Sequence, residues 1–219
     1  MGHSGSPPRS SEVVPDTIVG EVQPFDPGPS VGAAARALAT HGVDFALIGG
    51  LALDAWGIPR ATKDADLAVP VGAAERIAEV LREPTTDIRP LRIGGIGIRD
   101  PNRGLRIDLV DRRFHFAQLF GEAIEEARSS GRKARVGSVE IALVSLEHLL
   151  AMKLVSGEPM DESDVRRVLQ RADLRYQDAR AIVERHLGVA SANRLDALAR
   201  ESGRPEVTRR LYRNGEEPD

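Results

Sequence analysis

An apolar run over 43–48 (VDFALI) stops on a glycine pair, Gly49-Gly50, and LALDAW follows at once. A stretch that is apolar nearly throughout reads as a buried strand, and the glycines break it directly into a helix. A turn over 57–59 then leads through Arg60-Ala-Thr62-Lys into a second strand over 64–69. Strand, glycine pair, helix, strand commits this part of the chain to a mixed sheet with helices packed on it. The same exit turns backbone N–H groups toward an incoming anion, and glycine is needed where a Cβ would hold a phosphate off the backbone. Taken alone, the pair fits a plain tight turn as well as a phosphate cradle.

The remaining pattern extends this unit. Ser30 is placed to cap an alanine-rich helix over 30–40, with Gly42 as its stop. VGAAERIAEVLRE has helical spacing and covers one sheet face. Two strands follow, IRPLRIGGIGIR and LRIDLVD, joined by the turn Asp100-Pro-Asn-Arg-Gly104. A helix is expected over 117–127 and a hairpin over 133–144, turning at Gly137-Ser138. Four helices follow, over 145–156, 161–172, 176–187 and 190–201. The expected fold class is α+β: a small mixed β-sheet core flanked by helices over 30–144, and a helical C-terminal part over 145–211. The first thirty residues hold six prolines with clustered Ser and Gly, so 1–29 reads as a disordered tail, and acidic 212–219 as a loose end.

Composition removes several chemistries. The 219 residues suit one domain, or a core with a helical annex, and 41% hydrophobic with 29% charged is ordinary for a soluble protein. With no cysteine, disulfides, thiolate zinc sites and cysteine nucleophiles are excluded. The five histidines are scattered rather than spaced as ligands. A net charge of −3 excludes a broadly cationic nucleic-acid wrapper and leaves room for a local basic patch. There is no long apolar window and no apolar signal core, so a cytoplasmic protein without a membrane segment is expected.

Asp64 and Asp66 carry the chemistry. In a strand, residues i and i+2 share a face, so both carboxylates emerge together while Ala65 and Leu67 face the other way. Their repulsion is about 1 kcal/mol at ~4 Å in water and about 4 at an effective dielectric of ~20. Mg²⁺ with a polyphosphate compensates it naturally, because that ion prefers carboxylate oxygens and keeps positions open for phosphate. The bland alternative is a solvated strand end with two charges. In LRIDLVD, alternation puts Asp108 on the face opposite Leu105, Ile107 and Leu109. If this strand lies beside 64–69, Asp108 joins the pair as general base or as the metal ligand nearest an acceptor. Asp111 is on the other face. Lys153 sits on the apolar stripe of Leu146, Leu149 and Leu150, where it either snorkels to the surface or points at a triphosphate. Asp161 and Asp164 open the next helix, where they compensate its dipole unless a ligand uses them.

Together these residues resemble the nucleotidyltransferase superfamily typified by DNA polymerase beta. That pattern is a glycine pair opening a helix, Asp-x-Asp on the next strand and a single Asp on a later one. Here it is Gly49-Gly50, thirteen intervening residues, Asp64-Ala-Asp66, and Asp108. The closer similarity is to the abortive-infection (AbiEii-like) toxin branch, through Arg60-Ala-Thr62-Lys-Asp64-Ala-Asp66, Met152-Lys153-Leu154 and Asp161-Glu-Ser-Asp164.

The resemblance implies phosphate at Gly49 and Gly50, metal at Asp64, Asp66 and Asp108, and a triphosphate gripped by Lys153 and Asp161. Arg60 and Thr62 would line the nucleotide site. It implies a Mg²⁺-dependent nucleotidyltransferase with an NTP as substrate. The acceptor would be tRNA, protein or a small molecule, and an antitoxin would be a partner. Two departures stand out: Gly50 where relatives often have Ser, and Glu158 and Met160 where they tend to carry Arg and Lys. The alternative from another class is a nucleotide- or partner-binding relative without catalysis. A helical nucleic-acid binder ranks last, since its C-terminal arginines are matched by acids. Arg89, Arg92, Arg99, Arg103 and Arg106, flanking the Asp108 strand, fit an RNA acceptor or a solvated hairpin.

Overall fold

The computed structural model describes residues 26–113, 116–156 and 159–204. The expectations for 1–25, for Glu158 and for 205–219 lie outside them. Helix α1 (Gly28–Thr40) begins two residues earlier than the spacing predicts, at Pro27-Gly-Pro29. Proline suits a first turn because its missing N–H has no partner there in any case. Ser30 is therefore not the cap. It is buried inside the helix, where its Oγ accepts the Arg106 N–H at 2.9 Å and ties α1 to a strand. Gly42, at φ 62°, ends the helix as expected, and the Val43 N–H returns to the Leu38 carbonyl at 3.0 Å.

A five-stranded sheet carries the core. Its strands are β1 (Ala46–Leu47), β2 (Ala65–Ala68), β3 (Asp87–Pro90), β4 (Ile96–Asp100) and β5 (Leu105–Val110), in the order β1-β2-β5-β4-β3. β2 and β5 run parallel and the other pairs antiparallel. With the surrounding helices this is an α+β fold. The predicted strand IRPLRIGGIGIR is in fact two strands. The chain folds back between Pro90 and Ile96, closed by the Leu91 N–H on the Gly95 carbonyl at 2.9 Å. Gly94 and Gly95 lie at φ 95° and 101°, and a Cβ on Gly95 would sit 2.0 Å from the Leu109 carbonyl oxygen. Only glycine passes there.

The sheet has two unlike faces, as period-2 alternation requires. Ala65, Leu67, Ile98, Ile107 and Leu109 are fully buried on one of them. There α1 packs on β5, and α3 (Ala73–Val80) on β4 and α1. Each such Leu or Ile contributes about 1.5–3 kcal/mol by leaving water. The other face carries Asp66, Asp108 and Gly97 in register. Asp100 fixes that register. Fully buried at the end of β4, it accepts from the Thr85 and Thr86 hydroxyls, from the Asn102 and Arg103 N–H groups, and from Arg103 Nε at 2.7 Å. Arg103 is thus a brace of the β4–β5 turn rather than part of a basic patch.

Helix α2 (Gly49–Ala55) follows β1 directly, so the two glycines form its first turn rather than preceding it. After β5 come α4 (Ala117–Ser129) and a separate hairpin, β6 (Lys133–Val136) with β7 (Val139–Ala142), turning at Gly137 with φ 58°. Four helices finish the described chain: α5 (Leu146–Ser156), α6 (Pro159–Leu169), α7 (Tyr176–Leu187) and α8 (Val189–Glu201). Two contacts set α5 and α6 against the sheet half. Trp56 Nε1 donates to the Val144 carbonyl at 2.9 Å, and Arg60 reaches Asp164 on α6. Buried Glu147 accepts the Arg175 N–H at 3.0 Å just before α7. Arg204 donates to the carbonyls of Leu169 and Leu174, both at 2.6 Å, and so caps the C-terminal end of α6. Among the described residues no helix is long and apolar enough to cross a membrane.

Candidate active site

The β2–β5 register decides the site. Asp66 is the Cα partner of Asp108, and Asp64, just before β2, shares the Arg99 guanidinium with Asp108, so the three carboxylates lie in one neighbourhood. Across β4, the residue opposite Asp108 is Gly97, and a Cβ there would lie 3.3 Å from Asp108 Oδ1 and 3.1 Å from Leu91. The glycine leaves the carboxylate its room. Asp111 points into the core side, fully buried, and accepts the Gly72 N–H at 2.9 Å. It belongs to the entry of α3.

The glycine pair is fitted to this cluster. Gly49 has φ 68°, and a Cβ on it would fall 2.0 Å from Asp66 Oδ2. A Cβ on Gly50 would meet the Thr62 side chain at 2.9 Å, and the Gly50 N–H hydrogen-bonds to the Asp66 carboxylate. The anion nearest the glycines is therefore Asp66 itself. Thr62 shapes the loop before β2, with its Oγ1 donating to the Asp64 carbonyl at 3.0 Å.

The cluster is short of positive charge at Asp66. Its carboxyl is pushed up to about 7, first by burial, then by the charges of Asp108 and Asp64, against the pull of Lys153 and the Gly50 N–H. Asp108 is also held above the ordinary carboxylate range by burial, with Arg99 opposing and Asp64 adding. Arg99 supplies the nearest cation. Its Nη2 lies 2.7 Å from Asp108 Oδ1 and 3.2 Å from Asp64 Oδ1, while Nη1 donates to the Ile107 carbonyl at 2.8 Å. The ion pair with Asp108 is poorly directed, and Asp108 Oδ1 is buried without a hydrogen bond.

The donor set suits a hard divalent ion: among the described residues it is carboxylates alone, and Asp108 Oδ1 is buried with Arg99 as its ion-pair partner and no well-directed hydrogen bond. Among the described residues, however, no three acidic or histidine side chains converge closely enough to chelate an ion as they stand. The Arg99 guanidinium lies between two of them.

A second network flanks Asp66. Lys153 of α5 pairs with Asp161 and, at 3.0 Å, with Asp164, both on α6. Arg60, before β2, reaches the same Asp164 oxygen at 3.2 Å and the Ala61 carbonyl at 3.0 Å. Lys153 is mostly buried and Asp164 is 2% exposed, so the lysine does not snorkel to solvent. Asp164 is the hub joining Arg60 and Lys153, which the i, i+3 spacing alone presents as dipole compensation. Arg167 closes the same seam by donating to the Pro59 carbonyl. Met160 is exposed at the start of α6.

No protein-family model matches the chain, and no curated protein matches it. Among solved structures it is similar to the solution structure of the antibiotic-resistance factor ANT(2'')-Ia, with TM-score 0.41 and 15% identity over 83% of this chain and 95% of that one. The crystal structure of ANT(2'')-Ia in complex with adenylyl-2''-tobramycin gives 0.41 and 18% over 78% and 95%. An antigenic nucleotidyltransferase-like protein from Paracoccidioides brasiliensis gives 0.38 and 16% over 75% and 91%.

Proposed function

We propose that the chain is a Mg²⁺-dependent nucleotidyltransferase that moves a nucleoside monophosphate from an NTP to an acceptor hydroxyl or phosphate and releases pyrophosphate. The observation that carries this reading is the parallel register Asp66↔Asp108. It sets three carboxylates beside a cation-bearing wall, the arrangement that a metal-bound triphosphate needs on both sides.

Asp64 and Asp66 would hold the metal and Asp108 would share it. When bound, the ion supplies charge neutralisation at the phosphates and lowers the pKa of a coordinated hydroxyl. Asp108, on the strand beside Asp66, would take the acceptor proton. An acceptor oxygen–phosphorus bond then forms at the α-phosphate as the bond to the β-phosphate oxygen breaks. Lys153, whose charge is felt at Asp66, would grip the triphosphate from α5. Arg60 and Thr62 define the adjoining rim, and Asp161 orients Lys153.

The finer reading, a toxin of the AbiEii-like branch with an antitoxin partner and tRNA or protein as acceptor, has one supporting observation. The three sequence pieces behind that resemblance meet in space through Arg60, Asp164 and Lys153. The binding-only alternative is favoured by Arg99, whose single positive charge already pairs with both Asp64 and Asp108.

Thermal melting tests the shared premise. Mg²⁺ with NTP raises the melting temperature by mass action, about 2.7 kcal/mol at a hundredfold excess over Kd. NTP with chelator raises it far less, and Asp64→Asn/Asp66→Asn abolishes the Mg²⁺-dependent part. An equal shift in that double variant removes the carboxylates from the site.

A further inference from the structure

One cation of the site belongs to the protein itself. Arg99 is on β4, the strand next to β5, and its guanidinium spans the gap between Asp64 and Asp108 with Nη2 at 3.2 and 2.7 Å. It is anchored from behind, because Nη1 donates to the carbonyls of Ile98 and Ile107 at 3.1 and 2.8 Å. About a third of the side chain is exposed, so it can leave the gap without unfolding the sheet. The sheet geometry also explains why this residue reaches: Arg99 and Gly97 share a face two residues apart, and Gly97 has no side chain to bar the path to Asp108.

We infer that Arg99 is a built-in counter-ion that holds Asp64 and Asp108 in the absence of metal, and that a divalent ion enters the cluster by displacing it. This rests on the proposed metal role of the three aspartates. A planar monocation between two carboxylates relieves the same repulsion that a divalent ion would, so the two compete for the same oxygens. The ordered state with Arg99 in place is not competent for the metal. Apparent affinity for the free ion is therefore lowered by the fraction of molecules in which the gap is clear. A triphosphate arriving with the ion offers the guanidinium a new anion, for which its flat fork is suited. Arg99 thus makes metal and nucleotide bind together rather than the metal first. It is a positioning residue, acting through the carboxylates.

The test uses Mn²⁺ as the probe, titrated into the metal-free full chain without nucleotide and followed by electron paramagnetic resonance of the free ion. Arg99→Gln binds Mn²⁺ about tenfold or more tightly than wild type, whereas Arg99→Lys, which keeps the charge, stays near wild type. Adding NTP tightens Mn²⁺ binding strongly in wild type and much less in Arg99→Gln. A folded Arg99→Gln that binds Mn²⁺ no more tightly than wild type overturns the inference. In that case, loss of binding in Asp108→Asn shows that the metal assignment still stands. If no variant and not wild type binds Mn²⁺, the metal assignment itself fails, and the inference with it. Should Arg99→Gln not fold, the wild type is read by ¹⁵N-arginine NMR. One immobilised guanidinium signal is released on saturation with Mg²⁺, and a spectrum unchanged at saturation overturns the proposal.

Discussion

Asp66→Asn is expected to abolish nucleotide transfer while making the metal-free protein more stable. Asp66 has its carboxyl raised to about 7 by burial and by Asp108 and Asp64. An unfolded aspartate titrates near ~3.9. Between those values the folded chain binds more protons than the unfolded one, so stability falls as pH rises from about 4 to 7. Above that window the wild type carries the cost of a partly desolvated charge facing two others. Asparagine keeps the shape, can still accept the Gly50 N–H, and has no charge to bury. In chelator at pH 8 the variant melts above wild type, and the downward slope contributed by this group between pH 4 and 7 disappears. Transfer falls by about a thousandfold, since charge neutralisation by a metal is worth several kcal/mol at ~1.4 per factor of ten. Scanning calorimetry reads the first effect and label transfer the second. A variant that is both inactive and less stable at pH 8 would place Asp66 among structural residues. Stability given up at one residue for chemistry is a usual mark of a working site.

Asp164→Ala is expected to be the most destabilising single change in the wall of the site. The Asp164 carboxylate is 2% exposed and faces Lys153 Nζ at 3.0 Å and Arg60 Nε at 3.2 Å. Removing it leaves two mostly buried cations facing each other without their shared anion. Breaking a buried pair from one side costs about 3–5 kcal/mol. At about 2–4 °C per kcal/mol for a chain of this size, that lowers the melting temperature by roughly 10 °C. Because Lys153 then loses one of its anionic partners, KM for the NTP rises as well. Asp161→Ala, at the more exposed end of the same lysine, costs less. Urea denaturation of both variants checks the order. Equal losses would show that Asp164 is not the hub.

Period-2 alternation showed that Asp66 and Asp108 each point away from the apolar face of their own strand, and the β2–β5 pairing that brings them together was only a condition until the structure supplied it. Gly42 and Gly137 were legible as a helix stop and a hairpin turn, since each supplies a positive φ that other residues resist. The same logic also applied to Gly94-Gly95, both at positive φ, but was not used there; the further demand on Gly95, from the Leu109 carbonyl of another strand, has no local signature. Ser30 was misassigned for a similar reason: its partners are Arg106 and Gly104, more than seventy residues away. Arg99 was visible only as one arginine among five. Its place between Asp64 and Asp108 depends on the combined register of β4 on β5 and of β5 on β2, which no single segment displays. Asp164 was likewise read from its own helix, whereas its partners come from α5 and from the loop before β2.

The most direct test of the whole account is label transfer. The protein is incubated with each α-³²P NTP, Mg²⁺ and a cell extract containing RNA, protein and small molecules, beside Asp64→Asn/Asp66→Asn. The account predicts that label from at least one NTP becomes covalently attached to an extract component, and that neither the double variant nor a chelator-treated sample transfers it. Transfer that persists undiminished in the double variant would contradict it.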